Sequence, residues 1–231
     1  VARTLLWNRL NTSDNDRPQQ ASAPFGVGRR GMVVSEGGGL VILESLAHAQ
    51  SRGARIYAEV VGFGAGTDVR DWAEPDPSGG GMALALRNAL RDATGHRGAA
   101  ATKDSAGGGD TLQVDLVNPF GTGTVDYDLA EMTAWNDVLG PQLDRSPALC
   151  TRGATGNNGA GSGAIDFAAT VLALYRNTVP SSYNTDSLDG GCRFSFVQAD
   201  PIDARIDRAV SLGHALSGRQ AAALVIERFR E

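Results

Sequence analysis

Apolar and polar positions recur with two different periods along this chain, and each change of period marks an element. Met32-Val-Val-Ser-Glu-Gly-Gly-Gly-Leu-Val-Ile-Leu-Glu44 places two apolar runs around three glycines, predicting two strands that meet at a close-packed turn. A short helix to about Arg52 follows, stopped by Gly53, and Arg55 to Phe63 is rich in β-branched and aromatic residues, a strand. Beyond the turn formers Pro75-Asp-Pro-Ser-Gly79, the residues Met82, Leu86, Ala89, Leu90 and Ala93 recur at helical steps. Leu129, Met132, Trp135, Val138 and Leu139 form one face of a second helix, ended by Gly140-Pro141. Ile165 to Tyr175 is apolar nearly all round and predicts a central helix. Thr111 to Val117, Pro147 to Thr151, Asp203 to Val210 and Ala221 to Phe229 are strand candidates. Residues 8–30 are polar and turn-rich, an ordered surface loop, and residues 97–110 form a flexible connection. Strands alternating with helices predict an α/β layered domain without a sequence repeat.

Composition narrows the function classes. With 231 residues, 42% of them hydrophobic, the chain can bury one sizeable core. The apolar stretch from Gly163 to Tyr175 is too short to span a bilayer and carries Asp166, and the opening Val1-Ala-Arg-Thr-Leu-Leu-Trp7 lacks a secretory pattern, so a cytoplasmic chain with no membrane partner is expected. A net charge of −5 argues against nucleic acid as the principal partner. Cys150 and Cys192 make no disulfide framework, and His48, His96 and His214 lie far apart, so neither metal nor cofactor is expected. Gly159-Ala-Gly-Ser-Gly-Ala164 matches a dinucleotide pattern but lacks an acidic residue about twenty positions on, and close packing at a helix entry explains its glycines better. Arg29, Arg30, Arg52 and Arg55 read as a solvated face, with contact to an acidic partner surface as the alternative. For His214 no neighbouring carboxylate is visible to orient it, which favours a packed or surface role.

Ordered blocks then carry a resemblance over nearly the whole chain. Ser22-Ala-Pro-Phe25 through Gly31 to Glu44, His48 to Gly62, Ala73-Glu-Pro-Asp-Pro77, Val114-Asp-Leu-Val-Asn-Pro-Phe-Gly-Thr-Gly-Thr124 and Arg152-Gly-Ala-Thr-Gly-Asn157 stand in the order of the β-ketoacyl-acyl-carrier-protein synthases. The fourth block resembles that family's Asn-Ala-His-Gly-Thr-Ser-Thr motif, and the fifth its Lys-Ser-Met-Thr-Gly-His motif. The resemblance implies a thiolase-like layered αβαβα fold, of which this chain supplies the C-terminal half plus the last strands of the N-terminal half. Residues 1–64 are expected to close the N-terminal half and residues 65–231 to form the C-terminal half.

The departures bear on activity. The half with the nucleophilic cysteine has no counterpart here, and Cys150 is expected to be a core thiol. Of the family's two histidines the first becomes Phe120, which can neither donate a hydrogen bond nor exchange a proton, and the second becomes Asn157. Losing one oxyanion donor costs ~10² to 10³ in rate, and losing acid–base help about another 10² to 10⁴. The family's lysine becomes Arg152 and its glutamate Asp166, while Thr122 and Thr124 keep their place in the pocket. The glycine-rich gate becomes Leu216, Ser217, Gly218 and Arg219. No catalytic set is intact. The expectation is a non-elongating or chain-length-factor-like subunit of a β-ketoacyl synthase complex in fatty acid or polyketide biosynthesis. Its expected partners are a catalytic or N-terminal-half polypeptide, in a hetero-oligomer, and an acyl carrier protein. Two alternatives stay open at this level: a partner-dependent acyltransferase that moves thioesters without condensation, and a carrier-protein-binding scaffold.

Overall fold

The sequence Val-Gly-Phe-Gly-Ala-Gly66 sets the first layer contact, because its alternate glycines share one face of a strand. In the computed structural model, which describes residues 8–68, 74–96, 112–215 and 220–230, β1 (Glu59–Thr67) turns that face onto the second helix, α2 (Gly80–His96). The short helix α1 (Leu46–Ser51) precedes β1 and is capped by the Ser45 side chain. A Cβ at Gly62, Gly64 or Gly66 would lie 2.2, 2.0 or 1.9 Å from the carbonyl oxygens of Ala89, Ala85 and Gly81, so the helix backbone rests directly on the strand. Only glycine permits that approach.

Five further short strands and a closing hairpin follow. They are β2 (Leu116–Asn118), β3 (Pro147–Ala148), β4 (Thr178–Val179), β5 (Ser195–Phe196), β6 (Ile202–Asp203), β7 (Arg208–His214) and β8 (Gln220–Glu227). The main sheet has the order β1-β8-β7-β2-β3-β5, with β1, β8 and β7 antiparallel and β7, β2, β3 and β5 parallel. β4 and β6 form a separate two-stranded pair. Three helices fill out the second half: α3 (Val125–Leu139), the single turn α4 (Arg152–Thr155) and α5 (Ser162–Arg176).

Successive sheet residues feed opposite cores, as strand geometry demands. Val117, Val210 and Val225 pack with Met82, Leu86 and Trp135 of α2 and α3, whereas Leu116, Ala209 and Ile226 pack with Phe167 and Leu174 of α5. The result is a helix–sheet–helix sandwich, the thiolase-like layering expected.

Several local expectations need correction. The Met32–Glu44 segment forms no strand pair: Met32 and Val34 make single bridges to Leu10 and Asn157, and residues 35–45 are extended without a ladder. Strand pairing needs a neighbour, and the described chain offers none there. α5 is not buried all round, because Leu172 (41% exposed) and Tyr175 (38%) face outward. β1 begins at Glu59 rather than Arg55, β2 is confined to three residues, and Asp203–Val210 divides between β6 and β7. The 8–30 loop is tucked into the body. Phe25 is wholly buried, its ring centroid 5.0 Å from that of Phe194. Arg29, read as solvated, is buried, 3.7 Å from Asp128 and 3.1 Å from Asp189. The 97–110 connection and the gate residues Leu216, Ser217, Gly218 and Arg219 lie outside the described residues.

Candidate functional site

The candidate site gathers at the C-terminal end of β2. Asn118, its last residue, donates to the Asp166 carbonyl oxygen at 2.9 Å and to Thr170 Oγ1 at 2.7 Å, fastening the strand end to α5. The following loop is drawn over the start of α3 by two carboxylates three residues apart, hence on one helix face. Glu131 accepts the amides of Phe120 and Gly121 at 2.7 and 2.9 Å, and Asp128 accepts those of Phe25 and Thr122 at 2.8 and 2.7 Å. Gly121 has φ +61°, and a Cβ there would lie 2.8 Å from Pro24 and Phe25, so the turn requires glycine.

Three of the expected site residues come together. Arg152 is 1% exposed and its guanidinium is ion-paired with Asp166, which also accepts from the Thr151 hydroxyl. Burial pushes the Asp166 carboxyl up, against the pull of Arg152. The Phe120 ring lies over the guanidinium, 4.4 Å from its carbon to the ring centroid, a cation–π contact. The charge of Arg152 is thus met by a carboxylate on one side and a π face on the other.

Asn157 stands apart from that trio. Its backbone is stitched to Val33 and Ser35 (2.7 and 2.9 Å), its side-chain oxygen accepts the Gly159 amide at 2.9 Å, and its amide nitrogen faces the Met32 sulfur at 3.9 Å. The Thr122 and Thr124 hydroxyls bond each other at 2.8 Å, and Thr122 also donates to Asp128 at 2.9 Å, so both are engaged inside the loop. Cys150 is buried beneath the loop, 3.9 Å from the Phe120 carbonyl, and burial pushes its thiol far up; Cys192 is pushed up to about 11 for the same reason. Neither is a thiolate at neutral pH.

Asp128 and Glu131 were not singled out in the sequence, and His214 was expected only in a packed or surface role. The i, i+3 spacing of the two acids at a helix start was the available signal. His214 offered none, and it overturns the expectation that no carboxylate adjoins it: its Nε2 lies 3.7 Å from Glu131 Oε2, and its ring packs 4.7 Å from that of Phe120. The side chains of both His214 and Glu131 are fully enclosed.

The layered α/β fold, with its polar cluster at the end of a parallel strand, is of the thiolase-like class. The chain belongs to the β-ketoacyl synthase family: the model for the Beta-ketoacyl synthase, C-terminal domain, matches residues 57–186. A 3-oxoacyl-[acyl-carrier-protein] synthase 2 of Coxiella burnetii is 33% identical over 210 residues, covering 91% of this chain and 47% of that protein. Among solved structures, a type II polyketide synthase acyl-carrier protein in complex with its ketosynthase bound to the hexaketide is similar, with TM-score 0.87 and 26% identity over 99% of this chain and 52% of that one. The ishigamide ketosynthase/chain length factor follows at TM-score 0.82 and 26% identity, covering 99% and 50%. The chain therefore spans about half the length of the relatives it matches. No helix among the described residues is long and apolar enough to cross a membrane.

Proposed function

We propose that this chain is a non-elongating, chain-length-factor-like subunit of a β-ketoacyl synthase complex in fatty acid or polyketide assembly. The observation that carries the reading is the Phe120 ring seated on Arg152, where the resemblance calls for an imidazole. A phenyl ring supplies neither an oxyanion donor nor a proton relay, and Asn157, the other replaced position, can donate but cannot take up charge. A second element of the proposal is completion of the fold by a polypeptide carrying the other half and the nucleophilic cysteine, supported by the exposed apolar residues Leu40, Ile42 and Leu43. On this reading the chain divides near residue 64, a boundary that falls inside β1 (Glu59–Thr67). An acyl carrier protein is the proposed substrate-bearing partner, by analogy with the polyketide neighbour solved in complex with one.

The assembled complex, supplied with acyl- and malonyl-carrier protein, tests this directly. The expected result is no β-ketoacyl product, with Phe120→His plus Asn157→His tested as a gain-of-function pair. Condensation by the unaltered complex overturns the proposal. Acylation of the partner's thiol without condensation assigns acyl transfer instead, and carrier binding that ignores acyl length assigns a scaffold.

A further inference from the structure

Between β7 and α3 the fold encloses an imidazole and a carboxylate together. The side chains of His214 and Glu131 are fully buried, with Nε2 3.7 Å from Oε2. Their other polar atoms are engaged. Glu131 Oε1 accepts the Phe120 amide at 2.7 Å and the Trp135 indole N–H at 3.2 Å, and Oε2 accepts the Gly121 amide at 2.9 Å. A carboxylate oxygen has two acceptor positions, so Oε2 keeps a second one that no donor among the described residues fills. On the ring, Nδ1 lies 3.2 Å from the Ala215 carbonyl oxygen, which can only accept, so Nδ1 carries a proton. Nε2 is buried and has no hydrogen-bond partner among the described residues. Every other group around the ring is neutral or already matched. Tyr127 stacks on it at 5.8 Å, and burial pushes that hydroxyl up to about 12. Arg9 pairs with Asp126 beside Tyr127, Asp128 faces Arg29 one turn before Glu131, and Arg152 pairs with Asp166 beyond the Phe120 ring. Across the β7–β8 ladder the neighbour is Ala221.

We infer that His214 is a positioning residue: it and Glu131 bind one proton between Nε2 and Oε2, and through Glu131 that proton holds the loop carrying Phe120 against Arg152. The inference goes beyond the proposed function and requires no partner. Without the proton, two acceptors face each other in an enclosed space, at a separation longer than a hydrogen bond. With it, both ring nitrogens donate, the second position on Oε2 is filled, and each buried charge has its counterpart, the condition under which such a pair is tolerated. The rings of Phe120 and Tyr127 also favour a cation between them. Glu131 is the link to the loop, because the same carboxylate holds the amides of Phe120 and Gly121. Raising the pH removes the proton and loosens that hold; lowering the pH restores it. Since both side chains are enclosed, the proton serves the loop and not a substrate, so the imidazole does not return what Phe120 lacks.

Nitrogen-15 NMR of the imidazole rings, followed together with the amides of Phe120 and Gly121 across the range in which imidazoles exchange protons, about pH 5 to 8, tests the coupling. His214 Nε2 is expected to lose its proton as pH rises, and the two amide signals to shift along the same curve. Their protection from hydrogen exchange, corrected for the intrinsic effect of pH, should fall about tenfold as a bond to a charged acceptor weakens. His48, exposed on α1, is the internal control, and its titration should leave both amides unmoved. The titration of Asp128 is read separately, on the Phe25 and Thr122 amides that it holds. Glu131→Gln should abolish the pH dependence of the Phe120 and Gly121 amides. His214→Gln, which offers Oε2 a donor at every pH, should keep them protected throughout. A ring that titrates without moving the two amides overturns the positioning role, as does a ring whose proton count stays the same over the whole range. An unchanged response in His214→Gln traces it to another group and overturns the inference too. Should either variant fail to fold, the titration of the unaltered chain decides.

Discussion

Arg152 and Asp166 show how a buried charge pair is tolerated: each charge has a partner close enough to offset the loss of water. Removing one partner leaves the other stranded. Asp166→Ala is expected to destabilise the chain by about 3–5 kcal/mol in urea unfolding, whereas the apolar double variant Arg152→Met plus Asp166→Leu should recover most of that loss. Asp128 gives a second residue-scale prediction. Burial pushes its carboxyl up to about 6, opposed by the amides of Phe25 and Thr122. The folded state then holds a proton that the unfolded state releases near pH 4. This group's contribution is fully present below that pH, falls as pH rises from about 4 to 6, and is flat above. Carbon-13 NMR of the Asp128 carboxyl should show a midpoint near 6, and Asp128→Asn should remove that segment of the pH–stability curve.

At the scale of elements, contacts between backbones decide more than side-chain size does. The β1–α2 layer exists because Gly62, Gly64 and Gly66 recur every second residue and meet Gly81, Ala85 and Ala89 every fourth. Gly64→Val places a branched side chain where even a Cβ has only 2.0 Å, so a loss of at least ~3 kcal/mol is expected, read as a lowered urea midpoint. The same substitution at Gly38, whose Cβ would meet nothing within 4 Å, should cost little and serves as the control. This scale also shows why some boundaries were legible in the sequence and others were not. α2, α3 and α5 announced themselves by period and by the Gly140 stop. β2 and β3 overlap the longer strand candidates Thr111–Val117 and Pro147–Thr151 while β5 was not anticipated; at two or three residues each they are too short for an alternation to mark their ends, and their strand character comes from a parallel neighbour far along the chain.

For the whole molecule, the apolar band running from Leu40 to Leu46 and on to Leu172 is too continuous for an ordinary monomer surface. Native mass spectrometry of the isolated chain is expected to show self-association. Leu40→Asp plus Ile42→Asp should shift it to monomer with unfolding midpoint unchanged, since neither residue packs on the described core. A monodisperse monomer before substitution would remove the reason for a partner.

The order of motif blocks in the sequence pointed to the family and the layered α/β class, both of which hold, because residue identity at a motif position is a local fact. Which motif residues meet is not. Phe120, Arg152 and Asp166 share a cluster while Asn157 faces Met32, and His214 reaches Glu131 from a strand 83 positions away in sequence. Only folding sets such distances, since β7 is carried beside β2 by parallel pairing that no local pattern encodes. The bare 39–44 segment makes the same point in reverse: its composition says strand, but a strand is a relation between two backbone segments, and the described residues place no second one beside it.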